Sequence, residues 1–305
     1  MAAPVDHRTS RPVRLLLFAV GSLLTLAMIA WGGAQALDRL SIEEEQVFES
    51  HAGVKSIDLR YSHGNVDLVP ARGRRVEVAI ESRHGFFSSH QREDELRDGR
   101  LRLRGSCDFV TFGTCEENYR VAVPRGVAVA VRTSGGETFA RGLRGNLKLW
   151  SNAGSVRAVD VRGRRIELGS HAGGVSGESV RARTLTLDSR AGGIDLVRSV
   201  ARRVDAKAAA GSVDVELLRP PLNLDAESQA GSVTVLVPDV GYAVVAQTSA
   251  GEESVRVRQL PNSRRKVRAQ SRAGNVSVLP LERASEPARS RERDRARAER
   301  ARSRR

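Results

Sequence analysis

The feature that most constrains this 305-residue chain is a glycine that returns at Gly136, Gly154, Gly173, Gly192, Gly211, Gly231, Gly251 and Gly274. The steps are 18, 19, 19, 19, 20, 20 and 23 residues, and a fixed period near 20 is the mark of a solenoid. Aligned on that glycine, the chain shows constrained columns. Seven residues before it stand aliphatic residues from Val129, Leu147 and Ile166 through to Val267. Five before it come Val131, Leu149, Leu168 and Leu187, then Ala206, Ala226, Ala246 and Ala269. Three before it stands Ser or Thr in every copy but Ala208, and directly before it Ala in every copy after Gly135.

Spacing by two is a strand period, so these columns are expected to share an inward face. Past the glycine the apolar parity changes to Val156, Val175, Ile194, Val213, Val233 and Val276. A parity switch marks a corner, where glycine supplies backbone freedom and a small Ala is expected to fit inside the bend. The Ser or Thr hydroxyl is expected to bond its own stacked copies.

The resulting expectation is an all-β, single-stack parallel β-solenoid of about 19–20 residues per coil, with two or three strands per coil stacked in chain order. A β-sandwich of hairpins also makes strands at turn-separated intervals, but it does not explain position-specific columns. "YSHGNVDLV" repeats the frame around Gly64 as an outlying coil. Between Gly64 and Gly136, "VEVAIES", "RLRLRGS" and "YRVAVP" read as a strand insertion that caps the first coil, because an open solenoid end exposes unpaired edges.

Residues 15–37 carry no charge, long enough to span a bilayer as a helix. Arg8, Arg11 and Arg14 precede the run and acidic residues follow at Glu43, so the positive-inside bias keeps residues 1–14 cytoplasmic and exports the rest. The alternative is a signal peptide cleaved near Ala36, after "AQA". The organisation expected is a basic N-terminus (1–14), a span (15–37), a linker (38–45), a solenoid domain (46–281, irregular over 46–135 and regular over 136–281) and a tail (282–305). Of the net charge of +14, residues 283–305 contribute ten Arg against four acids. That tail lacks an apolar period and reads as disordered or as a solvated helix.

Cys107 and Cys115 are the only cysteines. Outside the cytoplasm such a close pair reads as a disulfide; as two ligands with no His between them they make a weak zinc site.

The stretch "VAVPRGVAVAVRTSGGETFARGLRGNLKLWSNAGSVRAV" and the coils after it resemble the bacterial DUF4097 group, adhesin-like β-strand repeat proteins, over roughly residues 46–281. Members show Ser-Asn-Gly-Asp-Val turns, of which Ala-Gly-Ser-Val and Ala-Gly-Gly-Val here are a variant. The resemblance implies an envelope-exposed solenoid and no particular reaction.

No Gly-x-Ser-x-Gly, His-Glu-x-x-His or P-loop pattern is present, and the six histidines are scattered. No catalytic residue, metal ligand or cofactor is assigned. One outward group stands out: Asp188, Asp205, Asp225 and Glu227 around Lys207. Stacked carboxylates suit a retaining glycosidase pair or a hard cation, while the plain reading is a surface charge ladder neutralised by Lys207. Asp195 and Asp214 form a second outward pair, assigned to solvent.

The function expected is a non-catalytic, membrane-anchored cell-envelope scaffold or adhesin-like binding module. An accessory or sensory part of an envelope-stress system, or a carbohydrate-active β-helix enzyme, are the alternatives. Expected partners are the membrane and, through the basic tail, anionic cell-wall polymers or lipid headgroups. Nucleic acid is not expected, since the tail lies outside and lacks interleaved aromatics for base stacking.

Overall fold

Strands of period two joined at a glycine corner build two sheets that face each other across one aliphatic core. The computed structural model describes residues 11–40, 43–84, 88–109 and 115–281, some of them by backbone alone. In each coil one strand leads into the corner glycine and lies in what we call the front sheet; the strand that leaves it lies in the back sheet. Leu147–Ala153, Arg162–Ala172 and Arg181–Ala191 stack in parallel in the front sheet. Val156–Val159 and Val175–Glu178 stack likewise in the back sheet. The columns seven, five and three residues before the glycine are buried along the regular coils, as Leu185, Leu187 and Ser189 illustrate.

The corners hold the reason for the repeat. All nine corner glycines, Gly64 included, have positive φ. At Gly192 φ is 145°, and a Cβ there would lie 2.5 Å from the carbonyl oxygen of Gly173 in the coil beneath. Glycine is therefore demanded twice, by backbone conformation and by the close stacking of successive corners.

Two expectations for the corner are corrected. The inward hydroxyls do not bond one another: Ser189 Oγ donates to Gly173 O (3.1 Å), Ser170 Oγ to Gly154 O (2.8 Å) and Ser228 Oγ to Gly211 O (2.9 Å). Each hydroxyl thus ties its coil to the neighbouring corner, where a carbonyl lone pair is in reach. The alanine before the glycine is solvent-exposed, as at Ala172, Ala191 and Ala210, and does not fill the bend. Its backbone carbonyl accepts the N–H of the adjacent coil's glycine, as Ala210 O does from Gly192 N at 2.8 Å.

Stacking in chain order holds from Gly136 to Gly231 and is overturned at both ends. Near the C-terminus, Asn223–Ala230 pairs with Lys266–Ala273, which pairs in turn with Ala243–Ala250. The last coil, with Gly274, is inserted between the coils of Gly231 and Gly251. The hydroxyl bonds follow this order, Ser271 Oγ reaching Gly231 O and Thr248 Oγ1 reaching Gly274 O, each at 2.8 Å.

Near the N-terminus, Ser56–Tyr61 lies between Arg100–Phe109 and Ala128–Gly135. Val66–Pro70 likewise lies between Cys115–Val123 and Thr138–Arg141. Two of the three segments expected to be a capping insertion, 100–106 and 119–124, therefore belong to a full parallel coil below that of Gly64. Its core positions Leu101, Leu103 and Val121 continue the aliphatic interior, and Tyr119 is buried beside them with its hydroxyl donating to Glu117 Oε2 at 2.9 Å. Of the three segments the remaining one, Val76–His84, joins no parallel pair and lies antiparallel between Cys115–Val123 and Glu43–His51.

The polar stretch at 88–99, expected as a connection, is the strand Ser88–Arg97. It pairs antiparallel with Arg100–Phe109 through a tight turn in which Asp98 and Gly99 have φ of 53° and 77°, as an Asp-Gly hairpin requires. Its register with Leu103 turns Asp94 inward, while that of Glu43–His51 with Val78 turns Glu49 inward. The end of the rod is thus filled with charge. Arg92 lies 3.3 Å from Asp94 and 3.7 Å from Glu49, and His51 Nε2 is 3.1 Å from Glu49 Oε2. Inward charges at a terminal strand discourage a further strand from adding.

The helix Arg11–Leu40 contains the uncharged run, with Leu23, Met28 and Ile29 exposed. Among the described residues no helix is long and apolar enough to cross a membrane, although several side chains of residues 15–37 are not among those described. Residues 1–10 and the basic tail 282–305 also lie outside the described residues.

Candidate binding face

The interior is filled by aliphatic side chains, so the positions free to meet another molecule are the outward columns. On the front sheet these stand six and four residues before each glycine, and strand register decides who meets whom. Asp205 faces Asp225, and Lys207 lies between Asp188 and Glu227. The structure thus brings together the four carboxylates singled out from the sequence.

Lys207 is central to that group. Its Nζ is 3.2 Å from Asp205 Oδ1, and its pKa is raised first by the hydrogen bond and charge of Asp205, then by Asp225 and Glu227. The inserted coil adds a second cation, for Asp225 is in register with Arg268. In both its ion pairing and its exposure, this is a charge ladder.

On the back sheet Asp195 faces Asp214. Partial burial first, then the charges of Asp214, Glu216 and Glu178, push the Asp195 carboxyl above its usual value. Arg198 pairs with Glu178 at the edge of this group. Among the described residues no group of three or more His, Cys, Asp or Glu side chains is placed to hold a metal ion. Cys115 is disulfide-bonded, whereas the side chain of Cys107 lies outside the described residues.

A different part of the same column was not singled out from the sequence. Arg60 is in register with Arg104 on one side and Arg132 on the other, and Arg132 with Trp150. Trp150 is in register with Gly169, and the six-membered ring of its indole occupies the space a Cβ at Gly169 would need. His171 meets the ring edge-on, with centroids 5.2 Å apart. Above this row lies a shallow groove of about 670 Å³.

A family model described as Toastrack DUF4097 matches residues 54–279, close to the whole stack. The chain belongs to the Toastrack DUF4097 family. Among solved structures it is similar to a "putative adhesin" of Bacteroides fragilis, at 12% identity and TM-score 0.48, covering 78% of this chain and 97% of that one. A "putative adhesin" of Parabacteroides merdae matches at 10% identity and TM-score 0.48, over 78% and 96% of the two chains. A "putative lipid binding protein" of Parabacteroides distasonis matches at 12% identity and TM-score 0.41, over 78% and 97%. None of the curated proteins compared matches the chain.

Within this Toastrack chain, three members of the Arg–Trp row were readable by counting back four residues from Gly64, Gly136 and Gly154, which gives Arg60, Arg132 and Trp150. Arg104 was not, because its coil has no corner glycine. The backbone of Glu117 takes that place beneath Gly64, with Glu117 N donating to His63 O at 3.0 Å.

Proposed function

We propose that this Toastrack protein is a non-catalytic, membrane-anchored module of the cell envelope that binds through the outward face of its front sheet. The observation that carries the reading is the division of the rod: inward columns are packed mainly with aliphatic side chains, while the outward columns form a surface that is mostly polar and charged, with Trp150 and Val245 among its apolar positions. A face of this kind binds by contact over several coils, with each side chain positioned by a hydrogen-bonded strand.

Anchoring is supported by the 23 uncharged residues from Leu15 to Leu37 and by the basic residues before them. Export is supported by the disulfide at Cys115, a bond that persists in oxidising compartments. In this reading the basic tail 282–305 contacts anionic wall polymers or lipid headgroups.

Intact cells treated with a mild reductant and then a membrane-impermeant thiol reagent should be labelled on this protein, and the protein should sediment with membranes until residues 15–37 are deleted. Labelling only after lysis, or unchanged sedimentation of the deletion, overturns the reading.

A further inference from the structure

The two halves of the front face differ in charge. Where Asp188, Lys207 and Glu227 alternate, charges of opposite sign stand on neighbouring strands and Lys207 pairs with Asp205. In the row Arg104–Arg60–Arg132 three guanidinium groups follow on adjacent strands, which stand about 4.8 Å apart. Like charges directly opposite each other destabilise a sheet, so this row holds a repulsion that an anion would relieve.

Its internal neutralisation is partial. Arg60 donates to both carboxylate oxygens of Asp58, from Nε and Nη2, each at 3.3 Å, and Arg104 contacts Glu93 at 3.3 Å; both guanidinium side chains are about half-exposed, and two such surface pairs leave a row of three cations with net positive charge. Arg132 is exposed, and among the described residues it has no ion pair.

The row ends on an aromatic. Trp150 leans over the bare backbone of Gly169, so a flat apolar platform adjoins the cations. Beside them, two residues nearer the corner, Ser134 and Asn152 are exposed and offer hydroxyl and amide groups. Cations for carboxylate or sulfate, an aromatic ring for an apolar ring face and neutral polar groups for hydroxyls are together the complement of an acidic sugar.

We infer that the Arg104–Arg60–Arg132–Trp150 row is a binding site for an acidic saccharide, a glycan that carries carboxylate or sulfate groups along an extended chain. The polymer lies across the strands, each acidic group meeting one guanidinium and one sugar ring packing on the indole. This deepens the binding reading above and depends on the front face being its contact surface.

The test uses the full chain in detergent micelles. Trp31 and Trp150 are the only tryptophans, so Trp31→Phe leaves Trp150 as the sole indole reporter. Its fluorescence is titrated with oligogalacturonate, with heparin oligosaccharide, with neutral malto-oligosaccharide, with poly-glutamate and with phosphatidylglycerol vesicles.

A saturable change is expected with at least one acidic saccharide and none with the neutral one. Arg132→Gln should weaken it by about tenfold, and Arg60→Gln with Arg104→Gln further, while Arg203→Gln, an exposed front-sheet position in register with Thr184 and Asn223 in the other half of the face, leaves it within about twofold. Thermal melting checks that each variant is folded, and the exposed single substitution Arg132→Gln decides the matter if the multiple variant is not. Silence towards both acidic saccharides, equal affinity for poly-glutamate or for vesicles, or full affinity in Arg132→Gln overturns the inference. Saturable binding by a protein that stays shielded in intact cells would sink the envelope reading and leave this site standing.

Discussion

The middle coils and the two ends of the rod are made from the same corner chemistry, yet they follow different rules of neighbourhood. Between Gly136 and Gly231 each coil touches the coil before it and the coil after it in the chain. At the ends the chain skips a layer: the first coil, 56–70, and the last, 266–280, each lie inside the stack with a partner on both sides. The outermost layers are instead formed by Ala243–Ala250 and Ser88–Arg97, which are internal to the β-domain, and by its first strand, Glu43–His51. Terminal strands normally fray because one edge is unpaired. Here the first and last coils have both edges used, and the outer edges are left to Ala243–Ala250, Ser88–Arg97 and Glu43–His51.

The sharpest way to break this comparison is to ask which coil follows Gly231. Cysteines replacing Glu227 and Gln270, which are in register on adjacent strands, should form a disulfide almost completely on mild oxidation. Cysteines at Glu227 and Gln247 should not, because two layers separate them by roughly 9.6 Å and a disulfide needs Cα atoms within about 7 Å. Non-reducing peptide mapping distinguishes the pairs, and the reverse result would restore stacking in chain order.

Next in size is the corner. Gly192→Ala places a Cβ against the Gly173 carbonyl and forces a side chain onto a φ of 145°, so a loss of about 3 kcal/mol or more is expected. Gly174→Ala, one residue past the same type of corner, meets only Gly193 O at 3.6 Å and should cost less than about 1 kcal/mol. Equal losses in chemical denaturation would show that the corner argument is mistaken.

Smaller effects belong to the hydroxyl column. Ser189→Ala removes the bond to Gly173 O and should cost about 1 kcal/mol. Ser151 Oγ is buried without a hydrogen-bond partner among the described residues, so Ser151→Ala should be neutral or slightly stabilising. A Ser151→Ala loss matching that of Ser189→Ala in the same denaturation series would refute the distinction.

The least effect separates the charged end from the aliphatic middle. Burial, then the neighbouring Glu49 carboxylate, raise the Asp94 pKa from 3.8 to about 6 against the opposing pull of Arg92 and His51. A raised carboxyl pKa means that the folded state holds its proton longer than the unfolded chain does. Its contribution is therefore intact below pH 4 and is lost progressively as pH rises towards 6. Melting temperatures over that window should fall less steeply in Asp94→Asn than in the parent protein, and parallel slopes would exclude the effect.

The regular coils were legible because their residues repeat a role. Leu149, Leu168 and Leu187 mark the core and Gly154, Gly173 and Gly192 the corner, so position in the period predicts burial and pairing together. The same register places Asp205 opposite Asp225, as the strands do. The alanine column misled, for at a sharp bend the two-residue alternation stops before the glycine and Ala191 turns outward. The coil at 100–123 was hidden because Glu117 stands where a glycine would have announced a corner. Ser88–Arg97 was hidden because Arg92 and Asp94 on its inward side are charged and leave Leu96 alone, with no apolar period.

By itself the sequence determined the cross-section of this protein: which residues face in, where the chain turns and which glycines admit no substitute. These are local requirements, satisfied or violated within one coil and its neighbour. Only the tertiary structure decided the order of layers at the ends, and with it the place of Arg104 beside Arg60 and the register of Asp225 with Arg268. The physical reason is that every coil presents the same hydrogen-bonding edges and the same corner, so each can stack on any other. The choice among such equivalent neighbours depends on how the whole chain closes its ends, which no single period records.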